Sequence, residues 1–506
     1  MTTISLPVPD TTREVLDALL TRASSAALAL ADTTPAQRRG FLHTIADALD
    51  NAADELIPVA RRETHLPEAR LRGEMARTTF QLRLLGDEAG RAVEAIIDSA
   101  DPHWPTGSRP DLRRLLVPLG PVLVFAAGNF PFAFSVAGGD TAAALAAGAP
   151  VVLKAHSGHP ELSARTGEIV EAALREAGAP DGSFATVFGT DAGRDALQDQ
   201  RISAGAFTGS PYAGRLLADL TASRPVPIPF YAEMGSVNPV FVTPAAAGAR
   251  LDDIADGYVA SSLIGAGQFC TKPGLVFVPE HTADDFLARA VPAVRATAPV
   301  PLLNRAISDG HARARRELAA HPGVSVVLDG ADEGGVAGAG GHGGQVGADV
   351  APSLLLTTSM ALSADRDALT TECFGPTSLV VTYTSADELL DAARGFSGEL
   401  TATVHGDEDE QLSRDLVGTV ARFAGRVLWN QWPTGVAVSH AMQHGGPYPA
   451  ATGQFTSVGT TSIRRFQRPV TLQNVPAALL PDELKEDNPL RLPRRVDGLD
   501  VPAPDH

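Results

Sequence analysis

The chain has 506 residues, 44% apolar and 20% charged, enough for two or more domains with sizeable cores. Its net charge of −18 repels a phosphate backbone and sets nucleic acid aside as a partner. Two cysteines, Cys270 and Cys373, exclude a disulfide framework and a cysteine-rich zinc site, and fit a reducing, cytoplasmic compartment. The opening MTTISLPVPD has neither the basic start nor the apolar core of a signal peptide. The most apolar region, residues 122–153, is broken by Asn129, Pro131 and Asp140, so it falls short of the roughly 20 continuous apolar residues of a membrane span.

The first hundred residues read as helices. Thr11 with Glu14, and Thr34 with Gln37, match the capping-box spacing, and Pro35 suits a first helical position. Val15, Leu16, Leu19 and Leu20 share one helical face. A polar, Pro-containing stretch follows at 101–110. The pattern then alternates: strands at 121–127, 151–154, 185–189 and 203–207, with helices at 140–147, 160–177, 192–200 and after Thr208-Gly209-Ser210. That alternation predicts a parallel, doubly wound α/β sheet. A further strand is expected at 229–232. A second α/β run has strands at 239–242, 275–278, 324–328, 378–384, 401–405 and 426–429. Its helices are expected at 252–262, 284–296, 312–320 and 386–393. Residues 330–347 are Gly-rich and read as a surface loop. The tail beyond 480, rich in Pro and charge, is expected to lie along the surface.

In an open parallel sheet, ligands bind at the carboxyl ends of the strands. Four stretches fall there. Asn129 in Gly128-Asn129-Phe130-Pro131 can donate its amide to an oxyanion or simply form a turn. Lys154, with His156 and Ser157 after it, can bind phosphate or ribose, or snorkel at a strand end. Gly209, Ser210 and Gly214 allow a pyrophosphate to approach backbone amides, or make an ordinary turn. Glu233, flanked by apolar residues, suits a general base with a raised pKa, or a carboxylate satisfied by backbone N–H groups. Cys270 in Gly265-Ala266-Gly267-Gln268-Phe269-Cys270-Thr271 is a nucleophile or an inert buried thiol. Cys373 reads as a small buried hydrophobe. The thirteen histidines show no ligand spacing, and His440 and His444, four apart, precede Gly and Pro residues typical of loop. No metal is expected.

Asn129 in GNFPFAFS, Lys154 in VVLKAH, FTGS at 207–210, Glu233 in EMGS, Cys270 in GQFCT and Glu372 in ECFGP occur in one order and spacing. In this the chain resembles the aldehyde dehydrogenase superfamily from about residue 35 to 475. FAFSVAGGDTAAALAAG, EMGSVNPVF, GQFCTKPG and PTGVAVSHAMQHGGPYPA look like its 2-oxoglutarate semialdehyde (2,5-dioxopentanoate) branch, which NADP-dependent fatty aldehyde dehydrogenases also resemble. The resemblance implies an α/β fold with a Rossmann-type coenzyme domain (1–103 and 119–235, with 446–465 returning to it). It further implies an α/β catalytic domain (236–445), a small β oligomerisation arm (104–118 and 466–478) and a C-terminal tail (479–506). It implies a Cys270 thiolate that attacks an aldehyde, an oxyanion held by the Asn129 amide and the Cys270 backbone N–H, hydride transfer to nicotinamide, and thioester hydrolysis assisted by Glu233. Glu372 would hydrogen-bond the nicotinamide ribose, Phe374 would pack beside it, and Ser210 would touch the pyrophosphate.

NAD-preferring relatives commonly carry a glutamate three positions after the lysine. Here Ser157 stands there, so the resemblance implies NADP, bound by Lys154, Ser157 and His156, with NAD weaker. Arg77 and Gln81 share a helical face that would border the substrate tunnel, with Arg77 as a carboxylate clamp or as the partner of Glu74. Phe132 and Trp432 would be apolar walls or core residues. The expected activity is NADP-dependent oxidation of 2-oxoglutarate semialdehyde, with medium- or long-chain fatty aldehydes as the rival substrates. A thiol hydrolase lacks a histidine placed by motif, and a catalytically silent member conflicts with Cys270, Glu233 and Asn129 together. A homodimer or homotetramer is expected.

Overall fold

The computed structural model describes residues 8–330 and 349–503. The Gly-rich loop expected at 330–347 lies, but for its first residue, outside the described residues.

Four helices open the chain: Arg13–Ala31, Pro35–Asn51, Ala53–Thr64 and Glu68–Glu88. Thr34 and Gln37 form the full reciprocal capping box. At the first helix the cap falls one residue later than expected: Thr12 caps Val15, while Thr11 Oγ1 accepts a hydrogen bond from Phe188 N at 2.8 Å. Phe41, Leu42, Ile45 and Leu49 recur at helical spacing and bury one face of the second helix in the largest core.

That core covers a five-stranded parallel sheet in the order Phe184–Val187, Val151–Lys154, Val122–Phe125, Ala204–Thr208, Phe230–Glu233. The first strand in sequence sits at the centre and the chain winds outwards both ways, the doubly wound order of dinucleotide-binding sheets. The topological switch point lies between Val122–Phe125 and Ala204–Thr208, so their carboxyl ends bracket the crevice. A second, seven-stranded sheet runs Ser325–Leu328, Ser353–Thr358, Thr377–Tyr383, Leu275–Pro279, Val240–Val242, Glu399–His405, Ala424–Trp429. All its pairings are parallel except the first. Ser353–Thr358 was not expected; it is a short run just after the Gly-rich segment.

A third sheet joins Gln467–Gln473, Leu112–Pro118 and Ala95–Asp98 to Arg494–Val496 and Leu499–Val501. Two features differ from expectation. Ala95–Asp98, read with the coenzyme domain, pairs with Leu112–Pro118 instead. The tail supplies two strands and buries Leu484 and Leu492 with Val93, Ala95 and Leu115, rather than lying loosely on the surface. Among the described residues no helix is long and apolar enough to cross a membrane.

Candidate active site

Glu233 ends the outer strand of the five-stranded sheet, where it bridges Ala451. Met234 N donates to Ala450 O at 2.8 Å, which fixes the returning chain against this strand end. Cys270 lies on the loop between Ile264–Gly267 and Leu275–Pro279. Gly265, Ala266 and Gly267 are all left-handed, at φ 58°, 56° and 67°. A Cβ at Gly267 would strike the Gly375 carbonyl, so this close approach needs glycine. The Asn238 amide donates to the carbonyls of Cys270 (2.8 Å) and Lys272 (2.9 Å). The buried Lys272 Nζ donates to the carbonyls of Cys373, Gly375 and Thr377 at 2.7, 3.0 and 2.6 Å. One ammonium thus ties the nucleophile loop to the loop that carries Glu372 and Phe374.

Sequence reasoning missed the residue closest to the chemistry. His444 Nε2 stands 3.5 Å from Cys270 Sγ and 2.9 Å from Glu233 Oε1, and Ser457 Oγ donates to Glu233 Oε2. His444 sits in loop, held by Thr456 and Ser457: its N donates to Thr456 Oγ1 and its O accepts from Ser457 N, both at 2.8 Å. Burial raises the Cys270 thiol well above its ordinary pKa, and the Glu233 carboxylate adds to the rise. Glu233 departs from the expected raised pKa. Burial pushes it up, but His444, Ser457 and Cys270 outweigh that and hold it below the usual carboxylate range. The site therefore pairs a protonated thiol with an ionised acceptor and an imidazole in reach. Asn129 Nδ2 points at the same loop, donating to Gln268 O at 3.1 Å.

Beside Cys270 opens a cavity of ≈ 230 Å³, lined mainly by Arg70, Arg77, Phe130, Phe134 and Phe269. Arg77 lies over the Phe134 ring at 5.2 Å. Its Nε and Nη2 are buried and, among the described residues, have no hydrogen-bond acceptor. Glu74 Oε1 accepts from Phe132 N (2.8 Å) and Ala133 N (3.0 Å), while its Oε2 has no hydrogen-bond partner among the described residues and the carboxylate acts on Arg77 through its field alone. Arg70 is wedged against Phe130 and Phe269, and its Nη2 donates to Asn129 O at 2.7 Å. Three expected lining residues lie elsewhere. Phe132 is buried in the core of the coenzyme unit. Gln81 faces Gly139. Trp432 packs against Tyr258, His405 and Gly257. The aromatic wall is formed by Phe130 and Phe134, to either side of Phe132, because the 129–135 segment turns rather than extends.

The coenzyme candidates cluster at the strand ends of the five-stranded sheet. Lys154 closes Val151–Lys154 and is half-buried, its ammonium in the field of Asp10. Ser157 is exposed. His156 lies next to Lys154 at this rim. Its ring turns inwards against Gly128, stacks on His159 at 5.3 Å, and burial lowers its pKa to about 3, so it is neutral. Ser210 caps the helix Pro211–Ala222, accepting from Ala213 N. Gly209 N donates to Glu233 O at 3.1 Å, and Gly214 lies against Met234. Glu372 reaches Gly235, and burial lifts its carboxyl to about 7 against the pull of Lys272. Phe374 is half-buried beside it. A helix N-terminus, a half-buried lysine and a carboxylate around the switch-point crevice fit a dinucleotide.

Residues 2–470 match the model of the aldehyde dehydrogenase family. The chain belongs to that family. It is 41% identical to an alpha-ketoglutaric semialdehyde dehydrogenase of Acinetobacter baylyi, over 96% of this chain and 92% of that protein. It is 44% identical to alpha-ketoglutaric semialdehyde dehydrogenase 2 of Azospirillum brasilense, over 92% and 87%. Its fold is similar to aldehyde dehydrogenase 21 of Physcomitrella patens, solved in complex with succinate, with a TM-score of 0.76 at 22% identity over 92% of each chain. As a member of the family the chain is an aldehyde-oxidising oxidoreductase that uses a nicotinamide dinucleotide.

Proposed function

We propose that this aldehyde dehydrogenase oxidises 2-oxoglutarate semialdehyde to 2-oxoglutarate with NADP. The observation that carries the substrate reading is Arg77. Arg77 lines the cavity that opens on Cys270, its Nε and Nη2 have no acceptor among the described residues, and a guanidinium there suits a carboxylate at the far end of the aldehyde. The names of the relatives at 41 and 44% identity support the same substrate. For the cofactor, Ser157 puts no carboxylate where a 2′-phosphate would sit, and Lys154 supplies the cation.

Cys270 Sγ attacks the aldehyde carbon while its proton passes to the His444–Glu233 pair. The carbonyl electrons move onto oxygen, which the Asn129 amide and the Cys270 N–H hold. A nicotinamide dinucleotide held by Lys154, Ser210 and Glu372 would supply the hydride acceptor, and loss of hydride from the adduct would leave a thioester on Cys270. Glu233 then takes a proton from water, the water oxygen bonds the thioester carbon, the C–S bond breaks, and the acid leaves as one proton returns from the His444–Glu233 pair to sulfur and the other goes to solvent. Lys272 and Asn238 hold the nucleophile loop in place throughout.

The chain's division into coenzyme, catalytic and arm units, a cytoplasmic setting, and association through the open edge strand Gln467–Gln473 into dimers or tetramers belong to the same proposal. The test is kcat/KM for 2-oxoglutarate semialdehyde, succinate semialdehyde and medium-chain aldehydes, with NADP and NAD. The 2-oxo acid should lead by at least tenfold with NADP. Equal or better rates on the uncharged aldehydes would refute the substrate reading.

A further inference from the structure

We propose that Cys270, His444 and Glu233 form a three-ligand zinc site that inhibits the enzyme. The inference rests on donor geometry alone and is independent of which aldehyde is oxidised. A thiol sulfur, an imidazole nitrogen and a carboxylate oxygen here lie within 4.8 Å of one another. Sγ to Nε2 is 3.5 Å, and Nε2 to Oε1 is 2.9 Å. Tetrahedral zinc, with bonds of about 2.3 Å to sulfur and about 2.0–2.2 Å to nitrogen and oxygen, needs its donors about 3.4–3.6 Å apart. The sulfur–nitrogen spacing already fits. The nitrogen–oxygen pair must open by about half an ångström, within the swing of an imidazole ring.

The donor set selects the metal. Sulfur, nitrogen and one carboxylate oxygen suit zinc, whereas magnesium and calcium require a shell of oxygens. Support from outside the triad is present on the carboxylate: Ser457 Oγ donates to Glu233 Oε2, which turns Oε1 towards His444. The cavity lined by Arg77, Phe134 and Cys270 gives an entry path and room for a water in the fourth position. Binding forms a Zn–S bond as the thiol proton leaves to solvent, with no change of oxidation state. The sulfur and both proton acceptors are then engaged together, so zinc and aldehyde exclude each other.

The test is zinc binding to chelator-treated full-length protein against a competing chelator, with Cys270→Ser, His444→Gln, Glu233→Gln and Cys373→Ser beside wild type. Wild type and Cys373→Ser should bind one equivalent, and each triad variant should bind at least about tenfold more weakly. Zinc-edge X-ray absorption on wild type should show one sulfur at about 2.3 Å, with nitrogen and oxygen completing the shell. That measurement stands even if a triad variant fails to fold. Unweakened binding by folded His444→Gln and Glu233→Gln would overturn the proposal, as would a shell with no sulfur or with two.

Discussion

Replacing Arg77 by alanine separates a carboxylate receptor from a structural arginine. Nε and Nη2 lie on one edge of the guanidinium, both buried and without acceptors among the described residues. A substrate carboxylate meeting that edge makes two charge-assisted bonds, each worth roughly 1.5–3 kcal/mol. Water entering the vacated space and the nearby Arg70 recover part of this, leaving about 3 kcal/mol, or about two decades in kcat/KM. The assay is cofactor reduction with 2-oxoglutarate semialdehyde and, in parallel, an uncharged aldehyde of similar length. Arg77→Ala should slow the first about a hundredfold and leave the second within about threefold, because removing a desolvated charge costs an uncharged ligand little. Arg77→Lys should fall between, keeping the charge but losing the fork. An equal fall on both aldehydes would sink the reasoning, since it would mean that Arg77 serves the fold or the thiol.

Four other outcomes follow from the geometry. His444→Gln should lower kcat by about 10²–10⁴-fold, the usual range for a general base. Because burial and Glu233 raise the Cys270 pKa, the residual rate should climb with pH across the neutral range; a flat profile would count against His444 as the proton acceptor. Lys272→Met leaves three carbonyls without their donor, so urea denaturation should show a loss on the order of 3 kcal/mol. The KM for dinucleotide should rise more than that for aldehyde, and an unchanged cofactor KM would remove Lys272 as the tie between the two loops. With Glu372 as the proposed acceptor for the nicotinamide ribose and its carboxyl lifted by burial to about 7, the cofactor KM should rise as pH falls through 7. Glu372→Gln should flatten that dependence. Asp10→Asn should raise the NADP-to-NAD preference severalfold by removing the negative field on Lys154; an unchanged ratio of kcat/KM values would refute this.

The parts of the site that sit at strand ends were legible in the sequence, because a parallel sheet sends each strand's last residue to the same rim. Asn129, Lys154, Ser210 and Glu233 could be placed in that way. His444 could not. It lies in a loop, its position is set by Thr456 and Ser457, and its partners are 174 and more than 200 residues away. Of the two readings of Phe132, wall or core, the structure has the core one: the 129–135 segment turns, and its neighbours Phe130 and Phe134 line the cavity instead. Lys272 carries no signal in the sequence. Only the structure shows the three carbonyls that make its burial tolerable. Of the tail strands, Arg494–Val496 pairs with Ala95–Asp98, some 400 residues earlier, whereas Leu499–Val501 folds back on it through Asp497-Gly498, a two-residue hairpin turn that the sequence does carry.

The late position of His444 and Ser457 also has a meaning in time. During synthesis the nucleophile emerges some 170 residues before the imidazole beside it, and Glu233 earlier still. A nascent chain stopped at Gln443 has its sulfur and Glu233 but neither His444 nor the Ala451 bridge that completes the rim around Glu233. The strands that close the third sheet against Ala95–Asp98 come last of all. The catalytic rim is thus assembled only when nearly the whole polypeptide has left the ribosome, and a fragment ending before His444 lacks the imidazole that stands 3.5 Å from Cys270 Sγ in the folded protein.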